Sequence, residues 1–190
     1  MYAKNHVTVV DPTVFDDIAE GKARPGHFSG VATIVTKLFN TIQPTNAYFG
    51  QKDAAQCVLI QRIVEDLDMD VNVNIIDTVR EQDGLAMSSR NVYLTPEERK
   101  AAPVIYRSLC KARDLFKAKR TSRDLPVSAS LLYQAVKDVL KSEQLVSKVE
   151  YTSVDNRATF QPLTQVDQDG AILSVACIVG SVRLIDNIVL

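Results

Sequence analysis

The sequence predicts an α/β protein: a parallel sheet with crossover helices, followed by a small α+β domain. Strand-length apolar runs alternate with helical periodicity through the first 80 residues. That order is typical of right-handed crossovers on a parallel sheet. Later in the chain, three short apolar runs follow two amphipathic helices and indicate an antiparallel sheet. We therefore expect two domains, at residues 1–80 and 81–190.

Each element of the first domain has a local signal. Alternation over Val7–Val10, stopped by a proline, predicts a short strand. Apolar positions from Val31 to Ile42 share one helical face, and the residue before Pro44 should end that helix. After this helix we expect a buried strand over Asn46–Phe49, then a capping box at Asp53, a helix and a second strand. That helix should bury Ala55, Val58, Leu59, Ile63, Val64 and Leu67, and the second strand contains Val71, Val73, Ile75 and Ile76.

The second domain opens with a glycine-containing loop, residues 83–91. Thr95-Pro96-Glu97-Glu98 is a capping box, and the helix that it begins should reach about residue 119 with a kink at Pro103. Another amphipathic helix is expected over residues 127–145. The predicted strands are Val149–Val154, Ala171–Val179 and Val182–Ile185, and a tight hairpin at Gly180-Ser181 joins the last two.

Composition excludes several classes of protein. Of 190 residues, 46% are hydrophobic and 24% charged, and the formal net charge is −1. These values are typical of a globular chain and give no general attraction for nucleic acid. Three separated cysteines and two histidines do not form a zinc site, so we expect buried free thiols in a reducing, cytoplasmic compartment. No apolar run is long enough to span a membrane, and the N-terminus has no signal-peptide pattern.

The segment Gly50–Asp53 is the first candidate binding site. It lies between a strand and a helix start, where parallel strands place ligands and helix N–H groups favour anions. Lys52 suits a phosphate, Asp53 could accept from a ribose hydroxyl, and Gly50 allows close approach to the backbone. The alternative is structural: glycine ends the strand, aspartate caps the helix and lysine is solvated.

The loop at residues 83–91 is the second candidate. Ser88, Ser89 and Arg90 offer hydroxyl and guanidinium donors suited to phosphate oxygens. The alternative is a polar surface loop in which the serines bond to their own backbone.

Two further features have weaker functional interpretations. Arg24 and His27 place a cation and an imidazole at a helix entrance, where the histidine could act as a base or simply pack against Phe28. The stretch from Arg99 to Arg120 holds eight basic residues and one acidic residue. Such a stretch could bind RNA, but it more often forms the solvated face of a helix.

Four motifs in one order carry a family resemblance. They are Ala23-Arg24-Pro25-Gly26-His27-Phe28-Ser29-Gly30-Val31, Phe49-Gly50-Gln51-Lys52-Asp53-Ala54-Ala55-Gln56, Asp83-Gly84-Leu85-Ala86-Met87-Ser88-Ser89-Arg90-Asn91 and Arg183-Leu184-Ile185-Asp186-Asn187. Together they closely resemble the pantothenate synthetase (pantoate–β-alanine ligase) family over essentially the whole chain. The resemblance implies a partial Rossmann-like domain of nucleotidyltransferase type and a small α+β C-terminal domain. It also implies ATP-dependent adenylation of pantoate, followed by displacement of AMP by β-alanine.

The resemblance also implies the roles of particular residues. ATP would lie against Gly50, Gln51, Lys52 and Asp53, with Lys52 on its phosphates and Asp53 on its ribose. Val79 and Met87 would flank the adenine, and Ser88, Ser89 and Arg90 would hold the triphosphate as charge shifts during attack. Gln56, Val31, Ile34 and Val35 would bind pantoate, while Arg24 and His27 match residues at the edge of the site. The family uses Mg²⁺ with few protein ligands, and a homodimer is implied.

One departure from the family pattern gives further expectations. The HxGH-type histidine pair and the segment after it are absent, so the chain corresponds to the second half of the Rossmann-like domain and the C-terminal domain. We expect the 190-residue chain alone to have greatly reduced or no adenylating activity. An apolar strand edge at residues 46–49 should be exposed and invite association. The alternative function is a non-catalytic binding or assembly module derived from such an enzyme.

Overall fold

Helices and strands alternate in the first part of the chain and then give way to an antiparallel sheet. The computed structural model describes Tyr2 and residues 4–190. It forms two compact units, the first of residues 1–49 and 55–75 and the second of residues 50–54 and 76–190. The predicted domains, 1–80 and 81–190, differ from these units at residues 50–54 and 76–80.

The first unit contains the predicted crossover. Its elements are α1 (Ala19–Ala23), α2 (His27–Ile42), β1 (Asn46–Gly50), α3 (Ala54–Asp66) and β2 (Asn72–Ile76), of which β1, α3 and β2 end or begin in the second unit. The two strands pair in a parallel sheet, as the strand–helix–strand order predicts. Helix α2 ends at the expected place, because Gln43 turns into the left-handed region and its N–H bonds to the Phe39 carbonyl.

Two expectations about this region are wrong. Val7–Val10 forms no strand: Val7 is 90% exposed, and the Val10 N–H donates to the Thr33 hydroxyl at 2.9 Å instead of to a ladder. Strand β1 is not buried, since its residues alternate between exposed and half-buried and Tyr48 is 66% exposed. Ahead of α3, residues Gln51–Asp53 form a 3₁₀ turn that runs directly into the helix, and the capping role of Asp53 stays a prediction.

The periodicity of α3 predicted most of its buried face. Ala55, Val58, Leu59 and Ile63 are buried, as expected. Toward its C-terminal end the prediction fails, because Val64 is half-buried and Leu67, beyond the last helical residue, is 48% exposed.

The second unit packs helices on an antiparallel sheet. Its elements are α4 (Pro96–Ala101), α5 (Val104–Thr121), β3 (Val127–Ser128), α6 (Ala129–Lys141), β4 (Val146–Asp155), β5 (Gln165–Val166), β6 (Ile172–Val179) and β7 (Val182–Val189). The main sheet has the order β4-β6-β7 with antiparallel pairing, and β3 pairs with β5. The core is a continuous apolar cluster that includes Leu109, Leu132 and Leu173, all fully buried.

Most local signals of the second unit are confirmed, with two differences. Thr95 and Glu98 form the predicted capping box, and the β6–β7 hairpin turns at Gly180-Ser181. Pro103 does not kink one long helix but separates α4 from α5, since its ring cannot occupy a helix interior. Residues 127–128 are a short strand ahead of α6 instead of its first turn, because they pair with β5.

Two other sequence-level expectations can be compared with the described residues. All three cysteines are free thiols, of which Cys57 and Cys177 are buried and Cys110 is half-buried. Burial raises the pKa of the Cys177 thiol to about 12. Within Tyr2 and residues 4–190, none of the helices combines the length and the apolar character that a membrane span needs.

A buried carboxyl group lies at the end of β4. Asp155 is 1% exposed, and one of its oxygens accepts a hydrogen bond from the Ser153 hydroxyl at 2.6 Å. The other oxygen, Oδ1, has no partner in the structure. Burial therefore disfavours the charged form and raises the pKa of Asp155 to about 6.

We expect the variant Asp155→Asn to gain stability relative to the native protein as the pH rises. Below about pH 4 the carboxyl is protonated in both the folded and the unfolded protein. Between about pH 4 and 6 the unfolded chain ionises first, so the native protein loses about 2–3 kcal/mol of unfolding free energy. The asparagine variant has no such loss. Urea unfolding at about pH 4.5 and about pH 7.5 measures the difference.

The control for this test is Asp138→Asn, a change at an exposed position of α6. The control should change stability between the two pH values by less than Asp155→Asn does, because position 138 is exposed to solvent. A difference between the Asp155→Asn variant and the native protein that does not change with pH would contradict the assignment of a raised pKa to Asp155.

Candidate functional site

The turn after β1 presents the first group of predicted site residues. Gly50 has φ −83° and ψ 131°, a conformation that any residue adopts, so turn geometry does not require glycine there. Gln51, Lys52 and Asp53 then form the 3₁₀ turn, in which Asp53 is exposed and the other two are half-buried. The turn groups with the C-terminal unit and not with the strand that precedes it.

Asn187 of β7 anchors this turn to the sheet. Its side-chain Nδ2 donates to the carbonyl oxygens of Gln51 and Lys52, both at 2.9 Å. Its Oδ1 accepts from the side-chain Nε2 of Gln51 at 3.2 Å. Asn187 is 3% exposed, so water competes little for these bonds. The side-chain amide of Gln51, a residue predicted to line the ATP site, therefore bonds to the protein itself.

Next to Asn187, Asp186 forms a buried ion pair with Arg80. Two guanidinium nitrogens of Arg80 donate to the two carboxylate oxygens of Asp186, at 2.6 and 2.9 Å. Asp186 is 3% exposed and Arg80 17% exposed. The guanidinium also lies 3.8 Å from the centre of the Tyr106 ring. Burial raises the pKa of Asp186, and the bonds from Arg80 oppose that shift.

Arg80 begins the loop that carries the two serines. Its Nη1 donates to the Gly84 carbonyl at 3.1 Å, and residues 80 and 86 form an isolated antiparallel bridge. Gly84 has φ +91°, and a Cβ there would lie 2.4 Å from the Tyr106 ring, so this position requires glycine. The loop therefore depends on both the backbone freedom of Gly84 and the ring of Tyr106.

Further hydrogen bonds fix the rest of the loop. Asp83 accepts from the Leu85 N–H at 3.2 Å and from the Arg99 guanidinium at 2.6 Å, and the latter bond lowers the pKa of Asp83. The Asn91 side chain donates to the Ala86 carbonyl at 3.1 Å. The Ser88 hydroxyl accepts from the Arg90 N–H at 3.2 Å, as the structural alternative predicted. A hydroxyl that accepts one bond keeps its hydrogen for another acceptor.

The structure brings Lys52 and Ser88 to the same cleft. This cleft is also lined by Ala86, Asn91 and Asp186, and its volume of about 10 Å³ has room for about one water molecule. An open groove of about 550 Å³ shares Ser88 and Asn91 with the cleft. The groove is further lined by Glu81, Met87, Ser89, Val92 and Arg99.

The remaining predicted ATP-binding residues lie on the same loop. Val79 and Met87 are joined by a backbone hydrogen bond of 2.9 Å from the Met87 N–H to the Val79 carbonyl. Their side chains are 63% and 50% exposed. Arg90 is exposed in the 3₁₀ turn Ser89–Tyr93, two residues beyond Ser88.

The predicted pantoate residues lie in the first unit. Val31, Ile34 and Val35 follow one face of α2, where Val35 is buried and the other two are half-buried. Gln56 is half-buried in the first turns of α3.

The two predicted site-edge residues contact each other. One Arg24 guanidinium nitrogen lies 3.0 Å from His27 Nε2 and 3.5 Å from a carboxylate oxygen of the buried Glu20. His27 also packs against Phe28, with a distance of 5.2 Å between ring centres.

The basic stretch from Arg99 to Arg120 covers parts of α4 and α5. Its outward positions are exposed, among them Arg107, Lys111, Lys117 and Arg120. Arg99 is half-buried and donates to Asp83, so its positive charge is paired with a carboxylate of the loop.

Sequence reasoning missed the roles of Arg80, Asp186 and Asn187. A signal was present, because Asp186 and Asn187 interrupt an apolar strand with two adjacent polar residues. Polar residues buried in a strand need partners, which indicates a hydrogen-bond network. The partners themselves, at positions 51, 52 and 80, could not be read from the sequence.

Comparison with solved structures places the fold in a class of α/β ligases. The chain is similar to pantothenate synthetase from Thermus thermophilus, with a TM-score of 0.85 and 39% identity over 99% of this chain and 65% of that one. It is also similar to pantoate-beta-alanine ligase from Francisella tularensis, with a TM-score of 0.68 and 30% identity over 96% of this chain and 58% of the other. The latter protein was solved in complex with beta-gamma ATP and beta-alanine.

The sequence comparison identifies the particular family. A family model described as pantoate-beta-alanine ligase matches residues 1–189. The pantothenate synthetase of Chloroflexus aggregans is 50% identical over 187 residues, which is 98% of this chain and 65% of that protein. The chain belongs to the pantoate-beta-alanine ligase family, and it spans about 65% of the length of this relative.

Proposed function

We propose that the chain binds ATP and takes part in the condensation of pantoate with β-alanine to pantothenate. The proposal rests on one observation: Lys52 and Ser88 line the same cleft. They come from two segments of the chain and offer an ammonium and a hydroxyl group. Family membership supports the same reaction, and a relative of this family was solved in complex with beta-gamma ATP and beta-alanine.

The phosphates of ATP would lie in the open groove beside Ser88 and Ser89. The cleft itself is too small for a phosphate, whereas the groove has about 550 Å³. Lys52 and Ser88 both line the cleft, and Ser88 also lines the groove. The flexible side chain of Lys52 would therefore extend its ammonium to a phosphate held in the groove. Arg90 would add a second cation, and Gly50 would let the nucleotide approach the backbone.

The adenosine part of ATP would bind beside the phosphates. Val79 and Met87 are adjacent and exposed, which suits the flat apolar faces of an adenine ring. Asp53 is exposed at the end of the 3₁₀ turn and would accept a hydrogen bond from the ribose. Gln51 would contribute through its backbone, since its side-chain amide is bonded to Asn187.

Pantoate would bind through the first unit. Val31, Ile34 and Val35 offer an apolar wall and Gln56 an amide, while Arg24 and His27 would lie at the edge of the site. A pantoate carboxylate oxygen then attacks the α-phosphorus of ATP, so that a P–O bond forms and pyrophosphate leaves. The amine of β-alanine next attacks the acyl carbon of the adenylate, releasing AMP and a proton as the amide bond forms. Lys52, Ser88, Ser89 and Arg90 would stabilise the charge that moves onto the leaving pyrophosphate.

The described residues do not offer a site that would hold Mg²⁺ by itself. Across Tyr2 and residues 4–190, no group of three or more His, Cys, Asp or Glu side chains is arranged for a metal ion. Asp186 is the carboxylate that lines the cleft, and both its oxygens are bonded to Arg80. We therefore propose that any Mg²⁺ enters as the MgATP substrate, bound through the phosphate oxygens.

Calorimetric titration of the purified chain with ATP and with adenosine tests the proposed function. We expect ATP to bind at least about tenfold more tightly than adenosine, because only ATP engages Lys52, Ser88, Ser89 and Arg90. The preference should fall with added salt. Equal binding of the two compounds, or no binding of either, would contradict the proposal.

Turnover separates the ligase from the alternative binding module. Pyrophosphate release that requires pantoate, followed by AMP release that requires β-alanine, is the outcome expected of a ligase. Tight ATP binding with no pyrophosphate release is expected both of the non-catalytic module and of a 190-residue chain with greatly reduced adenylating activity, so turnover is the outcome that separates ligase from module.

We also propose that the chain associates as a homodimer through the exposed side of β1. Tyr48 on that strand is 66% exposed, and within the described residues β1 pairs with β2 alone, so the backbone groups of its other edge are available to a second chain. The variant Tyr48→Lys should shift the population toward monomer in light scattering at several concentrations. Leu131→Lys, at a 41% exposed position of α6, is the control. An unchanged dimer fraction in Tyr48→Lys, or a monomeric native protein, would refute this interface.

A further inference from the structure

We propose that Asn187 is the positioning residue for Lys52: it holds the turn that carries the lysine in the orientation that lets the ammonium reach a nucleotide phosphate. The inference rests on the proposed function, since it concerns the same phosphate site. It adds a residue on β7, at the far end of the chain, to a site otherwise made by residues 50–53 and 79–90.

The side chain of Asn187 makes three hydrogen bonds to the turn. Both hydrogens of its Nδ2 are used on successive carbonyl oxygens, those of Gln51 and Lys52, and its Oδ1 accepts from the Gln51 side chain. Two donors aimed at adjacent carbonyls fix the direction of the peptide planes on both sides of Lys52 Cα. Because Asn187 is only 3% exposed, water competes little for these bonds, so the constraint is strong.

Asn187 is itself held in place by the neighbouring ion pair. The Asn187 N–H donates to Asp186 Oδ1 at 2.8 Å, and Arg80 Nη2 donates to the Asn187 carbonyl at 3.2 Å. Arg80 also bonds to the carbonyl of Gly84 in the loop that leads to Ser88. One buried network therefore fixes both the turn of Lys52 and the loop of Ser88.

The network matters because the lysine side chain is flexible. Its rotatable bonds let the ammonium sample many positions, and that freedom must be given up when it binds a phosphate. A fixed Cα direction reduces the volume that the ammonium explores and keeps it near Ser88. The network provides this without contacting the ligand, so Asn187 acts only through Lys52.

Asn187→Asp removes the two donors and keeps the size of the side chain. Carboxylate oxygens then face two carbonyl oxygens, which repel them, while Gln51 can still donate to the carboxylate. We expect the turn to move and the ATP affinity to fall about tenfold, a loss comparable to that of a charge-assisted hydrogen bond. Adenosine affinity should fall less, because the turn carries the proposed ribose contact of Asp53 but not Val79 and Met87, which would flank the adenine.

A double-mutant cycle tests the route through Lys52. Calorimetry with ATP and with adenosine is carried out on the native chain, Asn187→Asp, Lys52→Ala and the double variant. In the Lys52→Ala background, Asn187→Asp should change ATP affinity by less than about twofold, because the group that it positions is absent. An equal loss for ATP and adenosine, no loss, or a full effect of about tenfold without Lys52 would overturn the inference.

A comparison of ATP with adenosine and a second variant at position 187 show which of the two proposals fails. A native chain that shows no preference for ATP over adenosine contradicts the proposed function, whereas a clear preference that Asn187→Asp leaves intact contradicts this inference alone. Should Asn187→Asp unfold at the assay temperature, Asn187→Ser replaces it in the same cycle. Backbone amide exchange over residues 51–54 should be faster in Asn187→Ser, and unchanged exchange with unchanged ATP affinity would refute the role of Asn187.

Discussion

Replacement of Asp186 by alanine is expected to lower the free energy of unfolding by about 3–5 kcal/mol. The change leaves the Arg80 guanidinium, which is 17% exposed, without the carboxylate that neutralises it. It also removes the acceptor for the Asn187 N–H, so part of the network that holds the turn is lost. Urea unfolding followed by circular dichroism measures the loss, and the slope of the unfolding free energy with urea should not change.

Two further variants show whether the loss comes from a buried charge. Asp114→Ala removes an exposed partner of Arg113 on α5, at 3.4 Å, and should change stability by less than about 1 kcal/mol. Replacing both partners, in Arg80→Met with Asp186→Leu, should restore much of the lost stability, because no unpaired charge remains. A loss below about 1 kcal/mol in Asp186→Ala would show that the ion pair contributes little to the stability of this unit.

Replacement of Lys52 by alanine is expected to weaken ATP binding by about 10- to 100-fold, since a lysine contact to phosphate is charge-assisted and the site is partly shielded from water. Adenosine binding should change little. The salt dependence of ATP affinity should also become shallower, because one cation no longer neutralises the triphosphate. Calorimetry at two salt concentrations measures both effects.

The matched control is Lys111→Ala, which removes an exposed lysine from α5, distant in sequence from both loops. It should leave ATP affinity and its salt dependence unchanged within about twofold. If the two variants weaken ATP binding equally, general charge and not a specific phosphate contact determines the affinity, and the role given to Lys52 is wrong.

Elements with complete local signals were predictable from the sequence. Thr95, Pro96 and Glu98 form the expected capping box, because all of its hydrogen bonds lie within one turn of the chain. The apolar face from Val31 to Ile42 similarly predicts α2, since helical periodicity depends only on neighbours along the chain. The parallel pairing of β1 and β2 followed from element order.

Features that depend on long-range partners were not predictable. Alternation over Val7–Val10 resembles a strand, but a strand also needs a neighbour to pair with, and the Val10 N–H bonds to Thr33 instead. The bonds from Asn187 to Gln51 and Lys52 join residues 136 and 135 positions apart. Polar interruption of β7 indicates buried partners without identifying them.

Labelling with an acyl-phosphate derivative of ATP tests most directly whether Lys52 and the serine loop together hold the phosphates of ATP. Such a probe transfers its acyl group to a lysine beside the bound phosphates, and mass spectrometry identifies the modified residue. We predict modification of Lys52, suppressed by excess ATP and reduced when Ser88 and Ser89 are both replaced by alanine. Labelling that leaves Lys52 unmodified, or that excess ATP does not suppress, would contradict this role.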